Sequence, residues 1–448
     1  MRKKIFFLLL TFLLANFSLS KTLTYSFGKE VTLHAPYLIS EYFDAVVEAI
    51  DDVLKRYGYS LVSSGFDGEG DVIFGEVYSE DSSQLYVKFP VLSSRFGILK
   101  MKDFKGLPDR VGTLYGSFYY RVANSLFPQV RGYESLDELV YALKSGKVDG
   151  IFGPLYFLKS FIYEAGDDFV FSNRKLKKIY LFVKVKEPSL KPLIERAVEE
   201  LYKKDFFEDL IERKRLKDVL IAPNHLSFVV IQYPPYEFYE GGEWKGTDVE
   251  TVKMALGSLG FKVSFVTYPP SRAYVFLRNG VDDGAFSLEM TEDRMKFLDF
   301  VSEPLSRGFD VFFFRSDYHY QDFKKAVCGV VKGYRSRDVA EKMCGRVVEL
   351  FSDESGIRMV ACGRIDAFAT NFLVGFSMIR KLGLSKDVFY TEKIREYYSY
   401  LALSKIEGLK LLKDEFSKAL RDFKRSVRYD EILGKYGLSR SMMWLEGM

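Results

Sequence analysis

The sequence predicts an α/β protein made of two tandem domains built to one plan, and two observations carry this. Short β-branched and aromatic runs alternate with longer stretches of helical spacing along the whole chain, the pattern of strands joined by crossover helices into largely parallel sheets. Landmarks also recur in the same order in both halves. Gly112-Thr113-Leu114-Tyr115-Gly116 answers Gly329-Val330-Val331-Lys332-Gly333, and Gly146-Lys147-Val148-Asp149-Gly150 answers Gly363-Arg364-Ile365-Asp366-Ala367. Both pairs lie 217 positions apart, and Phe207-Glu208-Asp209-Leu210-Ile211 resembles Tyr429-Asp430-Glu431-Ile432-Leu433 further on. Order kept at one offset marks a repeated unit.

Taken in order, the chain opens on an export signal. Arg2, Lys3 and Lys4 precede the apolar run Ile5–Leu14, and Ser18-Leu19-Ser20 supplies small residues where a signal peptidase reads them. The expected mature start is Lys21, with an uncleaved signal anchor as the alternative. The run is short for a bilayer span, and no lipobox cysteine lies near the cleavage region. The reading therefore places the protein in the periplasm or outside the cell.

The first domain, residues 21–220, begins with a helix over Tyr42–Tyr57, then strands over Tyr59–Val62 and Asp71–Gly75. The charged helix end and Ala222-Pro223-Asn224 within Arg213–His225 mark the boundary. The second domain, residues 221–448, starts with a strand over Phe228–Ile231. A helix over Asp248–Leu259 stops at Gly260, a strand covers Phe261–Val266, a helix Arg272–Arg278, and a further strand surrounds Gly284–Ser287.

Composition removes several classes of function. The 448 residues are 48% hydrophobic and 28% charged, as in globular proteins. The net charge of +4 is too small for a nucleic-acid footprint. His34, His225 and His319 lie far apart and form no metal-ligand spacing, so neither a metal site nor a cofactor is expected. Gly68-Glu69-Gly70 leads into a strand rather than a helix, which removes phosphate cradling. Neither a Gly-x-Ser-x-Gly elbow nor a local pairing of nucleophile with histidine occurs, so no catalytic residue is assigned. Three cysteines are too few for a disulfide scaffold. Cys328 and Cys344 begin neighbouring strands, where either a disulfide or two buried thiols fits, and Cys362 stands apart.

The motifs of the second half come in a distinctive order. Tyr233-Pro234-Pro235-Tyr236-Glu237-Phe238 is followed by Gly246-Thr247-Asp248-Val249-Glu250 and Tyr268-Pro269-Pro270-Ser271-Arg272-Ala273. Asp283-Gly284, Thr291-Glu292-Asp293-Arg294 and Ser302-Glu303-Pro304-Leu305 come next, then Gly333-Tyr334 and Gly363-Arg364-Ile365-Asp366-Ala367. In this order over about 200 residues, the half resembles the amino-acid-type extracellular solute-binding proteins. The resemblance implies an architecture of two tandem bilobal domains of the type 2 periplasmic-binding fold, the first divergent.

What it implies for function is capture of a small carboxylate-bearing, amino-acid-like solute, delivered to the permease of an ABC transporter. A ligand-sensing module reporting to a receptor is the alternative, and a small dehydratase on the same fold is a third, for which only Glu289 could serve as general acid or base. Arg294 falls where the family holds the ligand carboxylate, a role suited to the planar donor fork of a guanidinium; otherwise it is a surface arginine. Tyr233 falls where a ring stacks on the ligand, or else it is a core tyrosine. Ser287 and Thr291 belong to the same ligand-binding set. Asn371 stands where the family places the aspartate that receives the ammonium, so the charge is missing there. Glu289 can restore it, or else faces outward. Pro270 replaces an aromatic residue, and Arg335 opens a helix whose backbone donors suit an anion. The first half reads Ser79-Glu80-Asp81-Ser82 opposite the arginine motif and Pro154 opposite Asn371, which implies a degenerate cleft or a different partner.

Overall fold

The computed structural model describes residues 21–28, 37–64, 69–165, 168–172, 175–317 and 323–444. The export signal, His34 and His319 lie outside the described residues. The chain divides into two compact units: Met1–His225 with Leu259–Phe261 and Ile406–Leu412, and Leu226–Ser258 with Lys262–Lys405 and Lys413–Met448.

In the first unit the strands are β1 (Lys21–Phe27), β2 (Tyr59–Ser63), β3 (Val72–Glu76), β4 (Leu92–Met101), β5 (Arg110–Leu114), β6 (Gln129–Tyr133), β7 (Gly150–Pro154), β8 (Phe169–Phe171), β9 (Lys178–Val185) and β10 (Leu220–Ile221). They form one sheet in the order β2-β1-β3-β9-β4-β7-β5-β6, with β8 and β10 on β4. Helix α1 (Tyr37–Lys55) buries Phe43, Val46, Val47, Ile50 and Leu54, a stripe at 3.6-residue spacing. The Ser117 Oγ accepts from the Tyr120 N–H and so caps α2 (Phe118–Leu126). Helices α3 (Leu136–Lys144), α4 (Leu155–Ala165), α5 (Lys191–Lys203) and α6 (Phe206–Arg213) complete the unit.

The second unit contains β11 (His225–Val229), the hairpin β12 (Phe238–Glu240) with β13 (Glu243–Lys245), β14 (Lys262–Val266), β15 (Gly284–Glu289), β16 (Leu298–Arg315), β17 (Val327–Val331), β18 (Arg346–Leu350), β19 (Ala367–Asn371), β20 (Val388–Tyr390) and β21 (Arg395–Ser404). Its main sheet runs β14-β11-β15-β21-β16-β19-β17-β18, position for position the order of the first unit. Strand β11 is parallel to β15 at one end, and β17, β18 and β19 are parallel at the other. Between them, β21 and β16 run antiparallel to their neighbours. The 18-residue β16 pairs with β21 from Leu298 onward and with β19 over Asp310–Phe314. Two parallel layers joined by long crossing strands make a bilobal domain.

Each lobe has its own core. Val229, Leu277, Phe297 and Phe300 fill the first; Val311, Phe313, Ile357 and Phe368 fill the second. The helices are α7 (Thr247–Gly257), α8 (Pro270–Arg278), α9 (Glu292–Met295), α10 (Ser336–Met343), α11 (Asp353–Ala361), α12 (Phe372–Leu382), α13 (Lys413–Lys424), α14 (Val427–Lys435) and α15 (Arg440–Trp444). Gly246 enters α7 at a φ of 124°, where a Cβ would lie 2.2 Å from the Tyr236 carbonyl oxygen; only glycine fits. Cys328 and Cys344 form a disulfide, while Cys362 is free and exposed. No helix among the described residues is long and apolar enough to cross a membrane.

Candidate functional site

In α/β sheets, ligands bind outside the carboxyl ends of the strands. In the second unit β11, β15, β17 and β19 all deliver polar residues from those ends. Tyr233 and Tyr236 follow β11, Ser287 and Glu289 close β15, Tyr334 and Arg335 follow β17, and Asn371 ends β19. Between the lobes lies a small pocket, with room for little more than a water molecule, lined by Tyr233, Tyr236, Ser287, Ser306, Gly308, Asn371, Tyr397 and Ser399. The space is narrowed by the protein's own side chains.

Tyrosines form most of that filling. The Tyr233 ring stacks on Tyr236 at 5.5 Å and meets Tyr334 edge-on at 5.6 Å. The hydroxyls of Tyr233 and Tyr397 are 3.2 Å apart. Asn371 is engaged on both sides of its amide. Its Oδ1 accepts from the Val374 N–H, which caps α12, and from Tyr236 at 3.5 Å, while Nδ2 donates to Tyr397 at 2.9 Å.

Ser287 has a φ of 53°, at an irregularity in the pairing of β15 with β21. A left-handed serine is strained, and such residues cluster at functional sites. The twist aims its hydroxyl at Asp248 Oδ2, 2.8 Å away, which also accepts from Ser306. Burial, partly offset by these hydroxyls, pushes Asp248 up to about 7. Glu237 beside it is raised by burial and by the Asp248 charge, and its Oε2 has no hydrogen-bond partner. On the other lobe, Asp353 accepts from Thr370 and Tyr334 and is raised to about 6, chiefly by burial.

Of the expected charged residues, Arg294 lies beside the cleft with two donors already engaged: Nη1 donates to the Glu289 carbonyl at 2.8 Å and Nη2 to the Tyr274 hydroxyl at 3.1 Å. Thr291 caps the short α9 by accepting from the Arg294 N–H. Arg335 is half exposed and pairs with Asp338 at 2.9 Å. The residue after it, Ser336, begins α10 with a buried Oγ that has no hydrogen-bond partner. Glu289 does not face outward; its Oε2 accepts from Arg395 Nη1 at 2.6 Å.

Arg395, Asp310 and Tyr397 are site residues that carry no local motif, and Asp248, although part of the Gly246–Glu250 motif, was read only as opening a helix. Asp310 and Arg395 are 85 residues apart in sequence and meet as register partners on β16 and β21. Only the pairing of the crossing strands unites them. In the first unit the counterpart of Asn371, Pro154, pairs with Phe96, so a buried ring stands where Asp310 does, and the Phe96 backbone N–H bonds across to Lys177 in the place of Arg395. Among the described residues, no group of three or more His, Cys, Asp or Glu is placed to hold a metal ion.

Residues 228–439 match the family described as bacterial extracellular solute-binding proteins, family 3. The chain has no match among curated proteins. Among solved structures it is similar to the substrate-binding protein of an amino acid ABC transporter, at 21% identity over 48% of this chain and 99% of that one, with a TM-score of 0.42. A histidine kinase sensor domain with similarity to periplasmic binding proteins is 20% identical over 48% of this chain and 96% of its own, with a TM-score of 0.42. The periplasmic domain of BvgS from B. pertussis is 14% identical over 93% of this chain and 90% of its own, with a TM-score of 0.41.

Proposed function

We propose, because residues 228–439 match the family 3 bacterial extracellular solute-binding proteins, that the cleft of the second unit captures a small amino-acid-like solute outside the cytoplasm. The solute's carboxylate is taken by Arg294 and by the α10 N-terminus at Arg335 and Ser336. The observation that carries this is Ser336: a buried hydroxyl without a partner at the first turn of a helix is a vacant donor where a helix end favours an anion. Export follows the signal read in residues 1–20, and the loaded form is presented to the permease of an ABC transporter.

A second reading, a sensing module that reports occupancy to a receptor, is favoured by the first unit. It repeats the topology but carries Ser82 opposite Arg294 and Pro154 opposite Asn371, so it suits contact with a partner better than capture of the same solute. The dehydratase reading loses the general acid or base that the sequence offered for it, because Glu289 is committed to Arg395.

Native mass spectrometry of the exported protein and calorimetric titration with a panel of L-amino acids test the proposal. Arg294→Ala should weaken binding by about 2–5 kcal/mol, the effect of truncating one member of a desolvated charged pair. Arg294→Lys should rescue it only in part, and Ser82→Ala should leave it unchanged. Equal affinity in wild type and Arg294→Ala refutes the carboxylate clamp.

A further inference from the structure

The charged centre of the cleft is already occupied, and its occupant belongs to the chain. Arg395 Nη1 lies 2.6 Å from Glu289 Oε2, and Nε lies 2.9 Å from Asp310 Oδ2. The guanidinium sits 4.4 Å from the centre of the Tyr397 ring, within cation–π range. The Arg395 side chain is 19% exposed, Glu289 20% and Asp310 3%. Burial works against the charge on Arg395, but Asp310 and Glu289 outweigh it and hold the guanidinium above its ordinary value.

The geometry spans the lobes. Glu289 ends β15 in the first lobe, where it pairs in register with Ser399. Asp310 stands where β16 pairs with β19, and Asn371 is its register partner in the second lobe. Two further contacts cross the same gap: the Tyr236 hydroxyl on Asn371, and Tyr233 against Tyr334. A solute joining two lobes has to offer a cation to acidic groups and a flat surface to rings. Arg395 does the first, and the tyrosines do the second for one another.

We propose that Arg395 is a resident cation that latches this cleft closed between Glu289 and Asp310, in the place a solute's ammonium or guanidinium group would take. This deepens the reading of the cleft as the solute site and rests on it. Closure is then the resting state of the second unit, and a cationic solute enters by exchange with Arg395. The acidic pair, not position 371, sets the preference for a cation.

The latch can be tested without any solute. Full-length protein carrying Lys253→Cys is refolded from urea to remove co-purified ligand. It is then spin-labelled at that site on the first lobe and at the free, exposed Cys362 on the second. Dipolar spectroscopy should show one short interlobe distance in this otherwise wild-type protein. Arg395→Ala should move the distribution to longer distances, and millimolar guanidinium ion should restore the short one in the variant while leaving the parent unchanged. Glu289→Gln, which keeps Arg395 on Asp310, should open the cleft as well and covers the case in which Arg395→Ala fails to fold. An open stripped parent, or unchanged distances in the variants, overturns the latch. The titrations of Arg294→Ala decide separately whether the cleft takes a carboxylate.

Discussion

Replacing Asp248 by asparagine isolates what a buried carboxyl does to the second unit. Asp248 is 2% exposed and is held by the hydroxyls of Ser287 and Ser306. Burial raises it from 3.8 to about 7. An acid whose folded value lies above its unfolded one binds its proton more tightly when native. The resulting stabilisation is complete below the unfolded value and is lost as pH rises through the folded one. At about 1.4 kcal/mol for each pH unit, the interval from 3.8 to about 7 is worth on the order of 4 kcal/mol. Asparagine is neutral throughout, and its carbonyl can still accept from both serines. Asp248→Asn should therefore match wild type near pH 4, gain on it steadily as pH rises, and hold a constant lead above about pH 7. Urea unfolding followed by tryptophan fluorescence measures this for one unit alone, because the two tryptophans, Trp244 and Trp444, both lie in the second. A constant difference between the two proteins from about pH 5 to pH 8 refutes the assignment of a raised acid here.

Two further outcomes are expected from the same fluorescence assay. Ser287→Gly should be more stable than Ser287→Ala by about 1–2 kcal/mol, since both lose the hydroxyl but only alanine keeps a Cβ in the left-handed region; equal midpoints would remove the strain. The double change Cys328→Ser with Cys344→Ser opens a link of sequence separation 16 and should lower stability by about 3 kcal/mol through a less constrained unfolded chain, which an unchanged urea midpoint would contradict.

The architecture was legible because strand and helix periods are local. The helix read over Asp248–Leu259 forms as Thr247–Gly257, and the strand read over Asp71–Gly75 forms as Val72–Glu76. The helix read over Tyr42–Tyr57 begins five residues earlier, at Tyr37. Helix ends depend on caps and packing, which spacing does not record. The cleft was legible in part. Tyr233, Ser287 and Asn371 do line its cavity; Tyr233 adjoins Pro234, and the other two were read from their places in the ordered motifs. Arg294 was singled out by its motif, which gave no sign of its engagement with Glu289 and Tyr274. For Asp310 and Arg395 there was nothing to read. Neither belongs to a recognisable motif, and only the register of β16 on β21 turns them into a pair.

The shared strand order of the two sheets bears on how this polypeptide reaches its native state. A chain that repeats one topology can trade equivalent strands between its halves, and such swapping is a typical misassembly of repeat proteins. Here the swap would carry chemical penalties. Seating β9 in place of β21 would set Lys177 opposite Asp310, an ammonium without the fork to reach Glu289 as well, while β21 in the first sheet would bring the Arg395 charge against the buried Phe96. The divergence of the two crossing-strand pairs thus makes each strand a poor chemical fit in the sheet of the other half.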